Sequence, residues 1–236
     1  MKITGFIFAA GLGTRLYPLT ASKPKALVRY NGKTLLDNAI GKLVEGGVTD
    51  IIVNIHHFPD LMLEALRQSP HAARIRVSDE RAYLRDTAGG LKFAQPFWDD
   101  SDLLLLYNVD IISSIDLKQL VKAHVAGGAE ATLAVRHRTT QRHLLFDDAG
   151  RLSGWRNAKS GETVVTRKPA HTFELAFSGI HVLDTSLART IPTVEKLSIT
   201  QFYLQQSDRH RILAHTHDTD TWMDVGKFDE FHNSLS

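Results

Sequence analysis

Four consecutive leucines, 103–106, followed by Tyr107, constrain the fold more than any other stretch of this chain. A strand alternates its side chains between two faces, so an unbroken apolar run belongs where both faces are covered. That situation is typical of parallel sheets with crossover helices on either side. Residues 3–10 and 50–55 read as further apolar strands, 74–77 as a short one and 131–135 as another. Between them Leu36, Ile40, Leu43 and Val44 fall at helical spacing, closed by Gly46-Gly47. Residues 61–66 form a helix that Pro59 helps start, and 117–125 form one stopped by Gly127-Gly128. The alternation predicts an α/β fold built on a mostly parallel, doubly wound (Rossmann-like) sheet.

After residue 136 the pattern changes. Short strand-like pieces at 144–146, 151–155, 163–167 and 176–182 alternate with turns such as Asp147-Asp148-Ala149-Gly150. They predict a small antiparallel lid subdomain over about 137–182, on the side where an acceptor would enter. A helix at 198–206, a strand at 211–215 and a terminal helix from Lys227 complete the reading. With no linker, repeat or low-complexity tract, residues 1–236 are expected to form a single domain.

The first strand runs into Ala9-Ala10-Gly11-Leu12-Gly13-Thr14-Arg15-Leu16-Tyr17-Pro18-Leu19-Thr20, closed by Lys23-Pro24-Lys25. Glycines in a strand-to-loop turn let backbone N–H groups approach an anion, because no Cβ blocks the way. Arg15, Lys23 and Lys25 add positive charge for a multiply ionised ligand. The segment therefore reads as a grip for a diphosphate or triphosphate. It is not a dinucleotide fingerprint, since Leu16 stands where the third glycine belongs. Nor does Gly32-Lys33-Thr34 end a P-loop, since Leu27 occupies the position of its first glycine. Asn31-Gly32 reads instead as a tight turn between a strand at 26–30 and a helix.

In open α/β sheets ligands bind beyond the carboxyl ends of the strands. Asp110 lies just past the leucine strand and can share a crevice with the glycine loop. An ionised aspartate beside a triphosphate is repulsive unless a divalent cation stands between them. Magnesium is commonly held by one or two carboxylates plus substrate phosphates. A second acid, Asp224, lies in Trp222-Met223-Asp224-Val225-Gly226, a turn expected to open the last helix. A strand-end aspartate can also be a helix cap, but Ile111-Ile112 is a poor helix start.

Composition narrows the choice further. The net charge is only +2, and no basic stripe with interleaved aromatics appears, which argues against nucleic acid. Arg136, Arg138 and Arg142 read as a solvated or site-edge cluster. There is no cysteine, which excludes disulfides and thiolate chemistry. No eighteen-residue apolar run and no leader-like apolar segment occur, so a cytoplasmic protein without membrane contact is expected. Twelve histidines, among them His56-His57 and His215-x-His217, are not spaced as a zinc ligand set and read as scattered surface and site-edge residues.

Four patches together resemble the sugar-1-phosphate nucleotidyltransferase family: residues 9–27, the Asp86-Thr87-Ala88-Gly89-Gly90 loop, Asn108-x-Asp110, and Trp222-x-Asp-Val-Gly226. The likeness runs essentially end to end and is nearest to the short branch holding N-acetylmuramate-1-phosphate uridylyltransferases and mannose- or heptose-1-phosphate guanylyltransferases. Phe177-Ser178-Gly179-Ile180 and the Trp222 patch lean toward the muramate type. Two positions depart from the family pattern: Val109 replaces a glycine, and Lys227 stands where a threonine is usual.

The resemblance implies roles. Gly11, Gly13 and Thr14 would hold the nucleotide phosphates, Arg15 the departing pyrophosphate, and Lys25 the sugar phosphate and α-phosphoryl group. Glu80 and Gly89 would face the nucleobase, Ser178 and Gly179 would line the acceptor sugar, and Asp110 and Asp224 would bind Mg²⁺. The implied partners are a nucleoside triphosphate and a sugar-1-phosphate, with the chain a monomer or small homo-oligomer. UTP with an N-acetylmuramate-type acceptor leads, ahead of GTP with mannose- or heptose-1-phosphate. A third reading is cytidylyl transfer to phosphocholine, with Trp155, Phe173 and Glu174 as a cationic-headgroup cage. A fourth is a non-catalytic nucleotide sensor.

Overall fold

The computed structural model describes residues 1–226. The terminal helix expected from Lys227, and the Lys227 departure itself, lie outside the described residues. The chain opens with β1 (Ile3–Phe8), followed by a glycine loop, a hairpin of β2 (Arg29–Tyr30) and β3 (Lys33–Thr34), and α1 (Leu35–Glu45). Next come β4 (Asp50–Ile55), α2 (Pro59–Gln68), β5 (Ile75–Asp79), α3 (Asp86–Phe93), α4 (Gln95–Trp98), β6 (Leu103–Asn108) and β7 (Ile111–Ser113). The second half holds α5 (Leu117–Ala126), β8 (Ala131–Arg136), β9 (Arg142–Phe146), β10 (Leu152–Asn157), β11 (Thr163–Val165) and β12 (Phe173–Asp184). It ends with α6 (Thr185–Arg189), α7 (Ile199–Gln206), β13 (Ile212–Thr216) and β14 (Trp222–Asp224).

A ten-stranded mixed sheet runs β11-β10-β9-β12-β6-β1-β4-β5, with β8 on β12 and β13 on β8. Its central strands β6, β1, β4 and β5 are parallel. The leucine run explains itself here. Leu103, Leu105 and Tyr107 join a core with α1, α2 and α5, while Leu104 and Leu106 join a second core with α3, α4, α6 and α7. Helices cover both faces, as an unbroken apolar strand requires.

Two differences from the sequence reading have clear causes. Residues 26–30 do not form one strand: Lys25–Leu27 is a single 3₁₀ turn, and only Arg29–Tyr30 pairs, closed by Asn31 and Gly32 at φ 47° and 82°. The turn buries Ala26 fully and leaves the flanking Lys25 aimed at the sheet end. The antiparallel strands are also not a separate layer. At twelve residues, β12 pairs β9 through Phe173–Leu175 and β6 through Ile180–Asp184, so β9, β10 and β11 extend the main sheet. Thr34, the last residue of the rejected P-loop match, caps α1: its Oγ1 accepts from Asp37 N–H at 3.0 Å.

Candidate active site

The glycine loop leaves β1 under tight control from its neighbours. Asn54, near the end of β4, accepts from the N–H groups of Ala9 (2.7 Å) and Ala10 (3.3 Å) through Oδ1. Its amide nitrogen donates to Glu80 Oε1 at 2.8 Å, and Arg85 N–H donates to Glu80 Oε2 at 3.3 Å. Burial pushes the Glu80 carboxyl above its usual range, opposed by Asn54 and Arg85. Glu80 thus braces the loop through Asn54 with one oxygen and holds the start of α3 with the other. A Cβ on Gly90 would meet Glu80 Oε1 at 2.5 Å, so that glycine is needed for the close approach of α3.

Past Ala10 the loop turns through Gly13 at φ 69°, whose carbonyl accepts from Thr20 Oγ1 at 3.0 Å. A Cβ there would lie 2.9 Å from Lys25 Cβ, so the loop wraps directly over Lys25. The N–H groups of Gly11, Leu12 and Gly13 donate to no acceptor among the described residues. Exposed Thr14 and Arg15 follow, starting a 3₁₀ turn.

Lys25 Nζ donates to Asp110 Oδ2 at 2.6 Å. Asp110 follows β6, and β14 brings the second acid alongside. Asp224 pairs with Ile111 across β7, and Val225 N–H donates to Asp110 O at 2.9 Å. Gly226 lies against both carboxylates, where any Cβ would collide with Asp110 Oδ2 and sit 2.8 Å from Asp224 Oδ1. Burial and then the Asp110 charge push the Asp224 carboxyl up, while Gly226 N–H, Arg15 and Lys25 pull it down. Arg15, Lys25, Asp110 and Asp224 therefore share one electrostatic site at the carboxyl end of the parallel strands. Asp224 is the last residue of β14, and the helix expected after its turn lies outside the described residues. Val109, in the usual glycine position, is fully buried in the core.

The chemistry of Asp110 and Asp224 suits a divalent cation. Two hard oxygen ligands, one with its charge opposed by burial and by its neighbour, match an ion that takes its remaining ligands from phosphates and water. The lysine ammonium already on Asp110 shows that the position accepts positive charge. The residues fit Mg²⁺. No group of three or more His, Asp or Glu side chains among the described residues converges as a metal cluster. His56 instead shares a 2.8 Å hydrogen bond with the Glu80 carbonyl.

Ser178 and Gly179, expected to line the acceptor, sit in β12. Ser178 is fully buried, and Gly179 adopts φ 75° in a bulge between Phe177 and His181. Gly179 lies against Asn108, where a Cβ would come within 2.7 Å of the Asn108 amide nitrogen. Gly89 lies inside α3 rather than in a loop, and it lines an outer cleft with Arg85, Lys92 and Phe93. Sequence reasoning gave no place in the site to Asn54, named Asn108 only as part of the Asn108-x-Asp110 patch and read His217 as a scattered histidine, because their contacts are with residues distant in sequence. Arg136 and Arg138 lie over the Trp222 ring, 6.0 and 4.5 Å from its centroid.

The nucleotidyl transferase family model matches residues 4–235. Over 109 residues the chain is 41% identical to the N-acetylmuramate alpha-1-phosphate uridylyltransferase of Caulobacter vibrioides, covering 45% of each protein. Over 133 residues it is 38% identical to a mannose-1-phosphate guanyltransferase of Aspergillus fumigatus, covering 55% of this chain and 36% of that one. The matched stretches thus span less than half of either curated relative. Among solved structures, HddC from Yersinia pseudotuberculosis complexed with GMP-PN superposes with a TM-score of 0.78 at 19% identity, covering 99% of this chain and 98% of that one. A putative glucose-1-phosphate thymidylyltransferase from Bacillus anthracis gives 0.80 at 18%, covering 98% and 93%. At these identities the two structures speak for the fold.

Proposed function

The chain belongs to the nucleotidyl transferase family, and on that premise we propose that it transfers a nucleotidyl group from a nucleoside triphosphate to a sugar-1-phosphate, releasing pyrophosphate. The observation that carries this reading is the convergence of Arg15, Lys25, Asp110 and Asp224 beside a glycine loop with unspent N–H groups. One phosphate grip, two cations and two carboxylates at a strand end suit displacement at an α-phosphorus.

A sugar-phosphate oxygen attacks the α-phosphorus in line and the pyrophosphate oxygen departs. The nucleophile is ionised at neutral pH, so no side chain need remove a proton. The chain's work is positioning and charge neutralisation. Gly11, Gly13 and Thr14 hold the phosphates through backbone N–H groups. Arg15, exposed on the loop, meets the departing pyrophosphate. Lys25, under the loop, neutralises the α-phosphoryl group and the incoming phosphate. Asp110 and Asp224 would hold Mg²⁺, which would supply a positive centre between these carboxylates and the phosphates. Gly179 and Asn108 flank the acceptor, and Gly89 with the Glu80-braced loop lies on the base side.

UTP with an N-acetylmuramate-type 1-phosphate leads the substrate choice, supported by the 41% identity to the uridylyltransferase. The guanyltransferase relatives make GTP with a mannose- or heptose-type phosphate the second reading. Phosphocholine is less well served: Glu174, the anion such a cage would need, is bound by Arg156 at 2.5 Å. No helix among the described residues is long and apolar enough to cross a membrane. The reading keeps the reaction between two small molecules, in a cytoplasmic monomer or small homo-oligomer. The test is a pyrophosphate-release screen with Mg²⁺, four ribonucleoside triphosphates and muramate-, mannose-, heptose- and glucose-type 1-phosphates. Release is expected with UTP and the muramate type. Silence across the whole panel contradicts the reading.

A further inference from the structure

The bulge in β12 is held in an unusual way. Opposite β8, Phe177 pairs with Val135 and His181 with Leu133, so three residues of β12 face one residue of β8. Such a bulge leaves peptide groups out of the ladder and re-aims the backbone. Ser178 cannot touch a sugar, being fully buried. Its hydroxyl instead shares a 2.7 Å hydrogen bond with His217 Nε2, and its carbonyl accepts from Trp222 Nε1 at 3.0 Å. One residue earlier, the Phe177 carbonyl accepts from Arg138 Nη2 at 3.3 Å.

His217 comes from a different part of the sheet. It lies just past β13, whose ladder it extends by donating N–H to Val135 O at 3.1 Å. From there its ring reaches across β8 to Ser178. The ring is nearly fully buried and held below its usual pKa by burial, with the Arg136 charge adding to the effect. A neutral imidazole suits a hydrogen bond to a hydroxyl, and its place beside Asp220 (3.8 Å) keeps it in a polar seam. The consequence lies on the other side of the bulge. Gly179, at φ 75°, packs on Asn108, and Asn108 is two residues before Asp110.

We propose that His217 is a positioning residue for the acceptor: through Ser178 it fixes the β12 bulge, and the bulge sets Gly179 and Asn108 against the incoming sugar phosphate. This rests on the transfer reading above and adds a residue that no resemblance supplied. His217 is buried and reaches the site only through Ser178, so its effect is expected chiefly on acceptor binding and less on the nucleotide.

Steady-state pyrophosphate release, with each substrate varied at saturation of the other, tests this on the full chain. His217→Leu should raise the acceptor KM by about tenfold, the worth of one hydrogen bond to a buried group, with nucleotide KM changed by less than about twofold. His217→Gln, whose amide can reach Ser178, should recover most of the loss. Ser178→Ala should reproduce the His217→Leu effect and add little to it in the double variant. If His217→Leu does not fold, Ser178→Ala carries the same reading. An unchanged acceptor KM, equal rises for both substrates, or no recovery with Gln overturns the assignment while leaving transfer intact. A wild-type chain that releases no pyrophosphate with any acceptor overturns the transfer reading and this role with it.

Discussion

Lys25 and Asp110, 85 positions apart, form an ion pair at 2.6 Å with side chains only 13% and 9% exposed. The pair joins the loop after β1 to the end of β6, and Gly226 lies between the same carboxylate and that of Asp224. Lys25→Ala would leave two neighbouring carboxylates with less positive charge between them. We expect a loss of about 10²–10³ in kcat/KM for pyrophosphate release. Urea unfolding should show a stability loss of about 2 kcal/mol, as for other charge-assisted hydrogen bonds.

Asp224→Asn keeps the shape and removes one charge from the proposed cation site. The Mg²⁺ concentration at half-maximal rate should rise at least about tenfold, since a carboxylate ligand is lost. Asp110→Asn should abolish turnover in a chain that still folds, with a stability loss of up to about 2 kcal/mol because the ion pair with Lys25 is lost. An unaltered Mg²⁺ titration in both variants would remove these residues from the site.

Gly226→Ala probes the spacing of the two acids. A methyl group there collides with Asp110 Oδ2 and crowds Asp224 Oδ1, so the carboxylates must separate. Weakened Mg²⁺ dependence with a melting temperature within a few degrees of wild type is expected. A Gly226→Ala enzyme with unchanged kinetics would show that the acids need no such closeness.

His181 gives a pH signature to the fold itself. Burial among Phe8, Phe177 and Tyr203 pushes its pKa down to about 3, and neither ring nitrogen has a hydrogen-bond partner among the described residues. An unfolded histidine ionises near 6.5, so below that pH the unfolded chain binds a proton that the fold refuses. The contribution is therefore level above about pH 6.5 and destabilises as pH falls towards about 3, by up to ~1.4 kcal/mol per unit. Urea midpoints of His181→Leu should fall less steeply than wild type across that window. Parallel curves would contradict the assignment.

Much of the frame was legible because period and punctuation report burial directly. The leucine run announced a strand covered on both faces, and Pro59, Gly46-Gly47 and Gly127-Gly128 marked helix ends. The glycine loop and both aspartates stood out as candidates because their chemistry is local, and the fold brings them to one end of the parallel strands. The support behind them was not. Asn54 reads as one polar residue in an apolar strand until Glu80 and the Ala9 and Ala10 N–H groups are placed around it. Ser178 looks like a ligand residue in sequence, yet burial turns it inward to His217, 39 positions away. The length of β12, which joins the parallel and antiparallel parts, is hidden because a bulge breaks its alternation at Gly179.

The most direct measurement follows oxygen. A sugar-1-phosphate carrying ¹⁸O in its non-bridging phosphate oxygens is turned over with the triphosphate that the screen selects, and both products are weighed by mass spectrometry. Attack by the sugar phosphate on the α-phosphorus predicts a nucleotide sugar that keeps every labelled oxygen and pyrophosphate that carries none. Label in pyrophosphate, or nucleoside monophosphate formed without nucleotide sugar, would contradict nucleotidyl transfer at the Lys25–Asp110 site.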